Sequence, residues 1–225
     1  MLKENLIKVL SEIENGNNLG EPITLIGASK TMSAEVINQA IGYGLKVVAE
    51  NKVQEFREKS ELIIGADQHF IGHLQTNKVK YLVGKVSLIH SVDSLHLAKE
   101  IDRVSANKGL KQAVLVEINV GGELSKSGYS IDNAIESVEE IINNCPSIIV
   151  KGLMAMLPHT DDESVLEELC QKMRGLYDTL KEKHSEFTYL SVGMSNDYKI
   201  AIKNGSNMIR LGRTIFGERN YGEKR

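Results

Sequence analysis

Short apolar runs recur at fairly even intervals along this chain of 225 residues, and segments with helical periodicity lie between most of them. Several runs, such as residues 23–26 and 113–116, are continuous rather than alternating, which is typical of strands buried on both faces of a parallel sheet. The predicted strands are residues 23–28, 46–49, 68–72, 87–92, 113–120, 148–156, 189–193 and 208–216, and the clearest helices are residues 34–41, 94–107, 131–143 and 163–183. Strands that alternate with helices in this way predict a parallel sheet.

The number of these units favours one architecture. An amphipathic helix over residues 2–13 is followed by eight β/α units, with no linker and no break in composition. Eight units can close into a (β/α)8 barrel, and the chain length lies within the range of about 200 to 400 residues that this TIM-barrel fold spans. An open doubly wound sheet is the competing arrangement. The sequence therefore predicts an α/β protein in which residues 1–225 form a single (β/α)8 barrel domain with an extra N-terminal helix.

Composition and charge argue against several classes of protein. The 27 Lys and Arg residues nearly balance the 30 Asp and Glu residues, so the net charge of −3 provides no strong field for nucleic acid or an anionic membrane. No uncharged apolar run approaches the roughly 18 residues of a membrane span, and the charged N-terminus does not resemble a signal peptide. Cys145 and Cys170 cannot form a disulfide framework and have no metal-ligand spacing. We expect a cytoplasmic protein with free thiols and no metal site, and neither nucleic acid nor a membrane as a partner.

Polar residues at the carboxyl ends of the predicted strands are the candidates for function, because the chemistry of a (β/α)8 barrel collects there. Lys30 follows the first strand after only Ser29. A lysine that loses hydration at the barrel mouth has a lowered pKa and a nucleophilic amine, which suits a Schiff base with an aldehyde or ketone. The alternative is a lysine that extends into solvent or pairs with Glu50.

The loop after the seventh strand is a candidate for half of an anion site. Ser195 or Asn196 is a suitable N-cap for a helix that we predict over residues 197–203. The loops after the seventh and eighth strands are the recurrent phosphate site of this barrel. Ordinary helix capping would explain the same residues.

The turn after the eighth strand would supply the other half of that site. Gly212 lets the backbone approach a ligand closely, and Arg210 and Arg213 add positive charge. The eighth strand pairs with the first when the barrel closes, so a phosphate held here would lie near Lys30. Pyridoxal 5′-phosphate (PLP) carries an aldehyde and a phosphate on one flat ring and satisfies both features. A phosphorylated sugar aldehyde satisfies them equally well.

A series of short motifs runs from about residue 20 to the end of the chain. They are Ala28-Ser29-Lys30-Thr31, Glu50-Asn51-Lys52-Val53-Gln54-Glu55, His69-Phe70-Ile71-Gly72-His73-Leu74-Gln75-Thr76-Asn77-Lys78, Asn119, Ser125-Lys126-Ser127-Gly128, Gly152-Leu153-Met154-Ala155-Met156, Ser191-Val192-Gly193-Met194-Ser195-Asn196-Asp197 and Ile215-Phe216-Gly217. Each motif alone is weak, but their order on a chain of this length is specific. Together they resemble the pyridoxal phosphate homeostasis protein family.

The resemblance implies a PLP-binding barrel similar to the N-terminal domain of alanine racemase. It makes Lys30 the Schiff-base lysine, places Asn51 close to the cofactor, and sets Arg210 against the pyridine nitrogen. An arginine cannot accept a proton there, so the ring would stay neutral and stabilise carbanions poorly. With the phosphate turn and the end of the sixth strand included, the candidate cofactor-binding residues are Lys30, Asn51, Met154, Ser195, Arg210, Gly212, Arg213 and Thr214.

Two positions depart from the pattern of the family. Threonine or serine is more common at the position of Arg213. The backbone N–H of Arg213 would keep the phosphate contact, and the Thr214 side chain would replace the hydroxyl that is lost. His73 stands where proline is frequent, and we expect it to be structural or to face solvent. After the fifth strand, residues 121–128 are a candidate lid or handover surface with Lys126 as a second amine, although an ordinary solvated loop would explain them too.

The resemblance favours a function in handling the cofactor. We expect a monomer that holds PLP on Lys30, buffers it and delivers it to PLP-dependent apo-enzymes, without substantial turnover. The alanine racemases also use a tyrosine from a second domain, which we expect to be missing here. Two alternatives stay open, a PLP-dependent amino-acid racemase without that domain and a Schiff-base aldolase that uses no cofactor.

Overall fold

The structure is a computed structural model that describes residues 1–123 and 126–218. Its strands are β1 (Thr24–Ala28), β2 (Val47–Glu50), β3 (Asp67–Phe70), β4 (Leu88–Val92), β5 (Gln112–Asn119), β6 (Tyr129–Ser130), β7 (Ile148–Ala155), β8 (Tyr189–Ser191) and β9 (Met208–Leu211). Eight of them form a parallel ring in the order β1-β2-β3-β4-β5-β7-β8-β9, and β9 pairs with β1 to close it. The short strand β6 pairs with β5 outside the ring. The predicted (β/α)8 barrel is therefore confirmed.

Helices surround this ring, and the predicted N-terminal helix is among them. They are α1 (Leu2–Ile13), α2 (Ala34–Gly42), α3 (Val53–Lys59), α4 (Leu95–Asn107), α5 (Ala134–Asn144), α6 (Glu163–Lys183), α7 (Tyr198–Lys203) and α8 (Arg213–Phe216), with 3₁₀ segments at Ser60–Leu62, Thr76–Tyr81 and Ile131–Asn133. Good N-caps begin several of them, as Ser94 does for α4 by accepting a hydrogen bond from the Leu97 N–H at 3.3 Å.

The continuous apolar strands are explained by burial on both faces. Every residue of β2 and β4 is buried. Leu25 of β1 packs outward against the helices in a cluster with Leu6 and Ile37, whereas Ile26 points to the barrel interior. The apolar side chains of the interior are Ile26, Val47, Ala49, Leu88, Leu115, Met154 and Met208.

The last predicted strand was too long by five residues. The run over residues 208–216 is a strand only as far as Leu211, and Arg213–Phe216 is a short helix. The N–H groups of Ile215 and Phe216 both donate to the Gly212 carbonyl, at 3.1 and 2.9 Å, and these bonds turn the chain out of the sheet. The apolar and β-branched residues of this turn have strand propensity, which is why the sequence pattern did not separate them.

Within the described residues, no helix is both long enough and apolar enough to cross a membrane. Cys145 and Cys170 are buried and free, and burial raises the pKa of both thiols. No group of three or more His, Cys, Asp or Glu residues in the described ranges is arranged to hold a metal ion.

Candidate functional site

A cleft of about 780 Å³ opens at the carboxyl ends of the barrel strands. It takes residues from the ends of β1, β2, β3, β7, β8 and β9. Six of the eight predicted cofactor-binding residues line it, and these are Lys30, Asn51, Ser195, Arg210, Gly212 and Arg213. The folded barrel thus brings together positions from near both ends of the sequence.

Lys30 lies two residues beyond the end of β1, where it is half-buried and lines the cleft. The Ser29 N–H donates to the Ala49 carbonyl at 3.0 Å, so sheet pairing continues to the residue before it. Glu50, the alternative partner suggested by the sequence, has other contacts. Its carboxylate pairs with Lys59, at 2.7 Å, and accepts a hydrogen bond from the Ser29 hydroxyl at 2.5 Å.

Asn51 follows β2 directly and brings an amide group to the wall of the cleft. Its Oδ1 is buried, and no described residue donates a hydrogen bond to it. Gly72 lies against its main chain, since a Cβ on Gly72 would stand 1.9 Å from the Asn51 carbonyl oxygen. A buried acceptor without a partner has an energetic cost, so Oδ1 is a position where a ligand or water would be favoured.

Arg210 forms the floor of the cleft on β9. Its Nη1 donates to the Ser191 carbonyl and hydroxyl, both at 2.7 Å, and its Nη2 donates to the Ala155 carbonyl at 2.9 Å. Burial lowers the pKa of Arg210 to about 10, while the carboxylates of Asp197 and Glu117 oppose that shift. The guanidinium is therefore charged at neutral pH and hydrogen-bonded to residues of β8 and β7.

Two buried histidines lie behind Arg210 in the barrel. His90 Nδ1 is 3.4 Å from the Ser191 hydroxyl, and His90 Nε2 is 3.0 Å from His69 Nδ1. Burial lowers the pKa of His69 to about 4 and that of His90 well below its usual value, so both rings are neutral near pH 7. Sequence reasoning missed this network, although a histidine inside an apolar strand is a signal that could have found it.

Glu117, on β5, is a further buried ionisable residue of the interior. Burial and the nearby charge of Asp93 raise its pKa to about 7, against the attraction of Arg210 and His73. A signal was present in the sequence here too, because Glu117 interrupts the continuous apolar run of its strand.

The loops after β8 and β9 meet at the side of the cleft. The Thr214 N–H donates to the Ser195 hydroxyl at 3.3 Å, and Arg213 Nη2 donates to Asn196 Oδ1 at 2.9 Å. A Cβ on Gly212 would make only ordinary contact with Ala28, at 3.4 Å from its carbonyl oxygen. Packing within the protein therefore does not require glycine at this position, whereas close approach of a ligand would.

The predicted N-cap was wrong. Helix α7 begins at Tyr198, and its N-cap is Asp197 rather than Ser195 or Asn196. Asp197 Oδ1 accepts a hydrogen bond from the Met194 N–H at 2.6 Å, and the Asp197 N–H returns one to the Met194 carbonyl at 3.0 Å. This tight turn leaves the Ser195 side chain directed to the Thr214 N–H.

The other predicted residues lie outside the cleft lining. Met154 is fully buried in the barrel interior, and Thr214 meets the site through the hydrogen bond from its N–H to Ser195. His73 is exposed, as expected, and its Nδ1 lies 3.3 Å from Asp93. Lys126 pairs with Glu123 at 2.6 Å, while residues 124–125 of the predicted lid lie outside the described part of the chain.

Apart from Met156, which belongs to a motif quoted above, one wall of the cleft was not predicted. The segment after β7 contributes it, before α6 begins at Glu163. Its proline and its polar residues carry no motif, and only their place after a barrel strand could have indicated them. The wall consists of Met156, Leu157, Pro158, His159, Thr160 and Asp161.

Comparison with known protein families places this fold in a sequence family. The profile of the family described as alanine racemase, N-terminal domain matches residues 27–220. The chain belongs to this alanine racemase N-terminal domain family. The matched region spans the whole barrel from the end of β1 onward, and so includes all eight predicted site residues.

Individual proteins of known sequence or structure are also similar to this chain. The chain is 41% identical over 228 residues to the pyridoxal phosphate homeostasis protein of Aquifex aeolicus, and the match covers 97% of this chain and 98% of the relative. It superposes on PipY of Synechococcus elongatus, solved with PLP bound, with a TM-score of 0.83 and 27% identity over 96% of this chain and 100% of that one. The alanine racemase of Clostridium difficile shares the fold, with a TM-score of 0.79 at 17% identity, over 97% of this chain and 59% of that one.

Proposed function

We propose that this protein binds PLP in the cleft as a Schiff base on Lys30, and that it buffers the cofactor and delivers it to other proteins. The observation that carries the proposal is that one cleft joins the amine of Lys30 to a turn suited to an anion, formed by Ser195, Gly212 and Arg213. The PLP bound to PipY and the naming of the Aquifex relative support the same ligand.

The residues of the cleft fit the chemical groups of PLP. The aldehyde would meet Lys30, whose amine attacks the carbonyl carbon; a C=N bond forms and the aldehyde oxygen leaves as water. The phosphate would lie at the turn of Gly212 and Arg213, where the Arg213 guanidinium would attract it and backbone N–H groups of the turn would donate to it. Helix α8 has only four residues, so these local groups and not a helix dipole would provide the attraction.

Arg210 supports storage rather than turnover. Bound PLP would supply an electrophilic carbon and an electron-accepting ring, and that ring accepts electrons well when its nitrogen is protonated. The Arg210 guanidinium, with a pKa of about 10, is charged at neutral pH. It can therefore accept no hydrogen bond from a protonated ring nitrogen, and that nitrogen would stay unprotonated beside it. Reversible formation of the Schiff base would limit the free concentration of a reactive aldehyde and still release it. We propose PLP-dependent apo-enzymes in the cytoplasm as recipients and a monomer as the acting form.

Absorption spectroscopy followed by borohydride reduction tests the proposal. We expect the protein to gain the visible absorption of a PLP imine, and peptide mapping to find the reduced label on Lys30. Lys30→Ala should lose the label, whereas Lys52→Ala, which removes an exposed lysine nearby, should keep it.

The same experiment separates the alternatives. A racemase assay on the PLP-loaded protein should show negligible turnover, and rapid exchange of an amino-acid α-proton would instead support the racemase. Absence of any PLP adduct on the wild-type protein would exclude the proposed function and favour a sugar phosphate as the ligand.

A further inference from the structure

We infer that a cluster of buried Glu50 and Lys59 with partly buried Glu55, here called the clamp, positions Lys30 for reaction. The inference rests on the proposed function, since it concerns the presentation of that amine to PLP. The three clamp residues do not line the cleft, so they are positioning residues.

The segment that carries Lys30 has an unusual backbone. Thr31, the next residue, has φ of 69°, in the left-handed region that β-branched residues rarely adopt. Such a conformation persists only where surrounding contacts determine it. A turn of this kind directly after a reactive lysine therefore requires something that holds it.

Lys59 supplies the first part of the hold. Its ammonium has three N–H donors. The structure satisfies all three: Glu50 Oε1 accepts at 2.7 Å, the Met32 carbonyl at 2.9 Å and the Ser29 carbonyl at 3.1 Å. The two carbonyls flank Lys30 and Thr31 on either side. One buried side chain thus fixes both ends of the turn.

Glu55 supplies the second part. Its Oε2 accepts the Thr31 N–H at 2.8 Å and lies 3.6 Å from the Lys59 ammonium. Although partial burial works against it, these two contacts lower the pKa of the Glu55 carboxyl. The strained residue is thereby bound directly by an ionised acceptor.

The three clamp residues come from two elements that adjoin the cleft. Glu55 and Lys59 lie one turn apart on α3, and Glu50 is the last residue of β2. Asn51 follows Glu50 immediately and lines the cleft. The clamp therefore fixes the ends of β1 and β2 relative to each other, with Lys30 on one and Asn51 on the other.

A simple loss of stability would not prove the inference, because removing one partner of a buried ion pair leaves an unpaired charge. The test therefore uses the double variant Glu50→Gln with Lys59→Met, which removes both charges together. The glutamine side chain introduced by Glu50→Gln keeps an acceptor for the Ser29 hydroxyl, while the bonds to the Ser29 and Met32 carbonyls are lost. The control is Lys52→Met, because Lys52 also lies near Glu55, at 3.7 Å, but is 74% exposed.

Two readouts are measured on each folded variant: the dissociation constant for PLP from the imine absorption, and hydrogen exchange of the Thr31 amide. We expect the double variant to bind PLP at least about tenfold more weakly and to exchange faster at Thr31. Lys52→Met should match the wild type in both. Glu55→Ala should also weaken binding, and Glu55→Gln should recover most of it because it keeps an oxygen for the Thr31 N–H.

The possible outcomes are distinct. A folded double variant that binds PLP as tightly as the wild type would overturn the positioning role. Unchanged exchange at Thr31 would overturn the clamp itself, and this readout needs no PLP. If the wild type forms no imine, the proposed function fails, and exchange at Thr31 still decides whether the clamp holds the turn.

Discussion

The ionisation of Glu117 couples the barrel interior to pH. This carboxyl is 4% exposed, and burial together with Asp93 raises its pKa from 4.5 to about 7. Because the folded pKa is the higher one, the folded state binds the proton more tightly than the unfolded state does. The contribution of Glu117 to stability is therefore greatest below pH 4.5 and is lost as the pH rises to 7.

Replacement of Glu117 by glutamine should remove that pH dependence. Glu117→Gln keeps the shape of the protonated carboxyl, so we expect the free energy of unfolding at pH 8 to rise by about 3 kcal/mol or less, and to change little at pH 4.5. Urea unfolding at the two pH values measures this, with the exposed Glu136→Gln as the control. A gain of equal size at both pH values would show that ionisation is not its cause.

The comparison must be made between variant and wild type at each pH. His69 changes stability in the opposite direction, because burial lowers its pKa to about 4 and its protonation below pH 6.5 favours the unfolded state. Between pH 4.5 and 6.5 the two groups partly cancel in the wild-type curve. The contribution of Glu117 to the pH dependence of the unfolding free energy is therefore obtained from the difference between Glu117→Gln and the wild type.

The sequence revealed some site residues more readily than others. Lys30, Arg210 and Gly212 stand at the ends of apolar strands, where the periodicity stops and polarity is conspicuous. His69 and His90 lie within strands, and their role depends on which neighbouring strands bring them to 3.0 Å. Pairing between strands is a long-range property that local patterns do not contain.

At the level of elements, the turn between β9 and α8 has a shape that protein packing alone does not require. Gly212 has φ of −107°, which any residue adopts, and a Cβ there would meet only Ala28 at an ordinary 3.4 Å. Gly72 is a contrasting case, since its Cβ would overlap the Asn51 main chain at 1.9 Å. The two glycines near the cleft therefore serve different purposes.

Substitution of each glycine by alanine should separate those purposes. Gly212→Ala should change the free energy of unfolding by less than about 0.5 kcal/mol and weaken PLP binding about tenfold, because the methyl group would occupy the place of the ligand. Gly72→Ala should lower stability itself. Thermal unfolding and titration with PLP measure the two effects, and unchanged affinity in Gly212→Ala would remove this turn from the proposed site.

Element boundaries followed the sequence where polarity changed sharply. Helix α6 begins at Glu163 and ends at Lys183, as predicted, because Asp162 caps its start and its apolar stripe continues to Leu180. The end of β9 was missed, because Arg213–Phe216 has the residues of a strand and the hydrogen bonds of a helix. Composition alone does not distinguish those two states over four residues.

At the level of the whole molecule, the count of eight units predicted closure but not how the seam is covered. The seam between β1 and β9 lies beneath α1, whose Leu6 and Val9 pack with Ile209 and Ile215. Asn5 Nδ2 also donates to the Ile215 carbonyl at 3.3 Å. The extra N-terminal helix thus supports the strand and the turn that carry Arg210 and Gly212.

A cavity under α1 should therefore affect the entire barrel. Leu6 is fully buried, so Leu6→Ala should lower the free energy of unfolding by about 2 to 5 kcal/mol. Ile7, on the same helix, is 50% exposed, and Ile7→Ala should cost far less. Because α1 packs against the strand that carries Arg210, circular dichroism and the PLP absorption should report the same urea midpoint in Leu6→Ala. Separate transitions would show that α1 detaches while the barrel stays closed. The pairing of β1 with β9 would then be stable without α1.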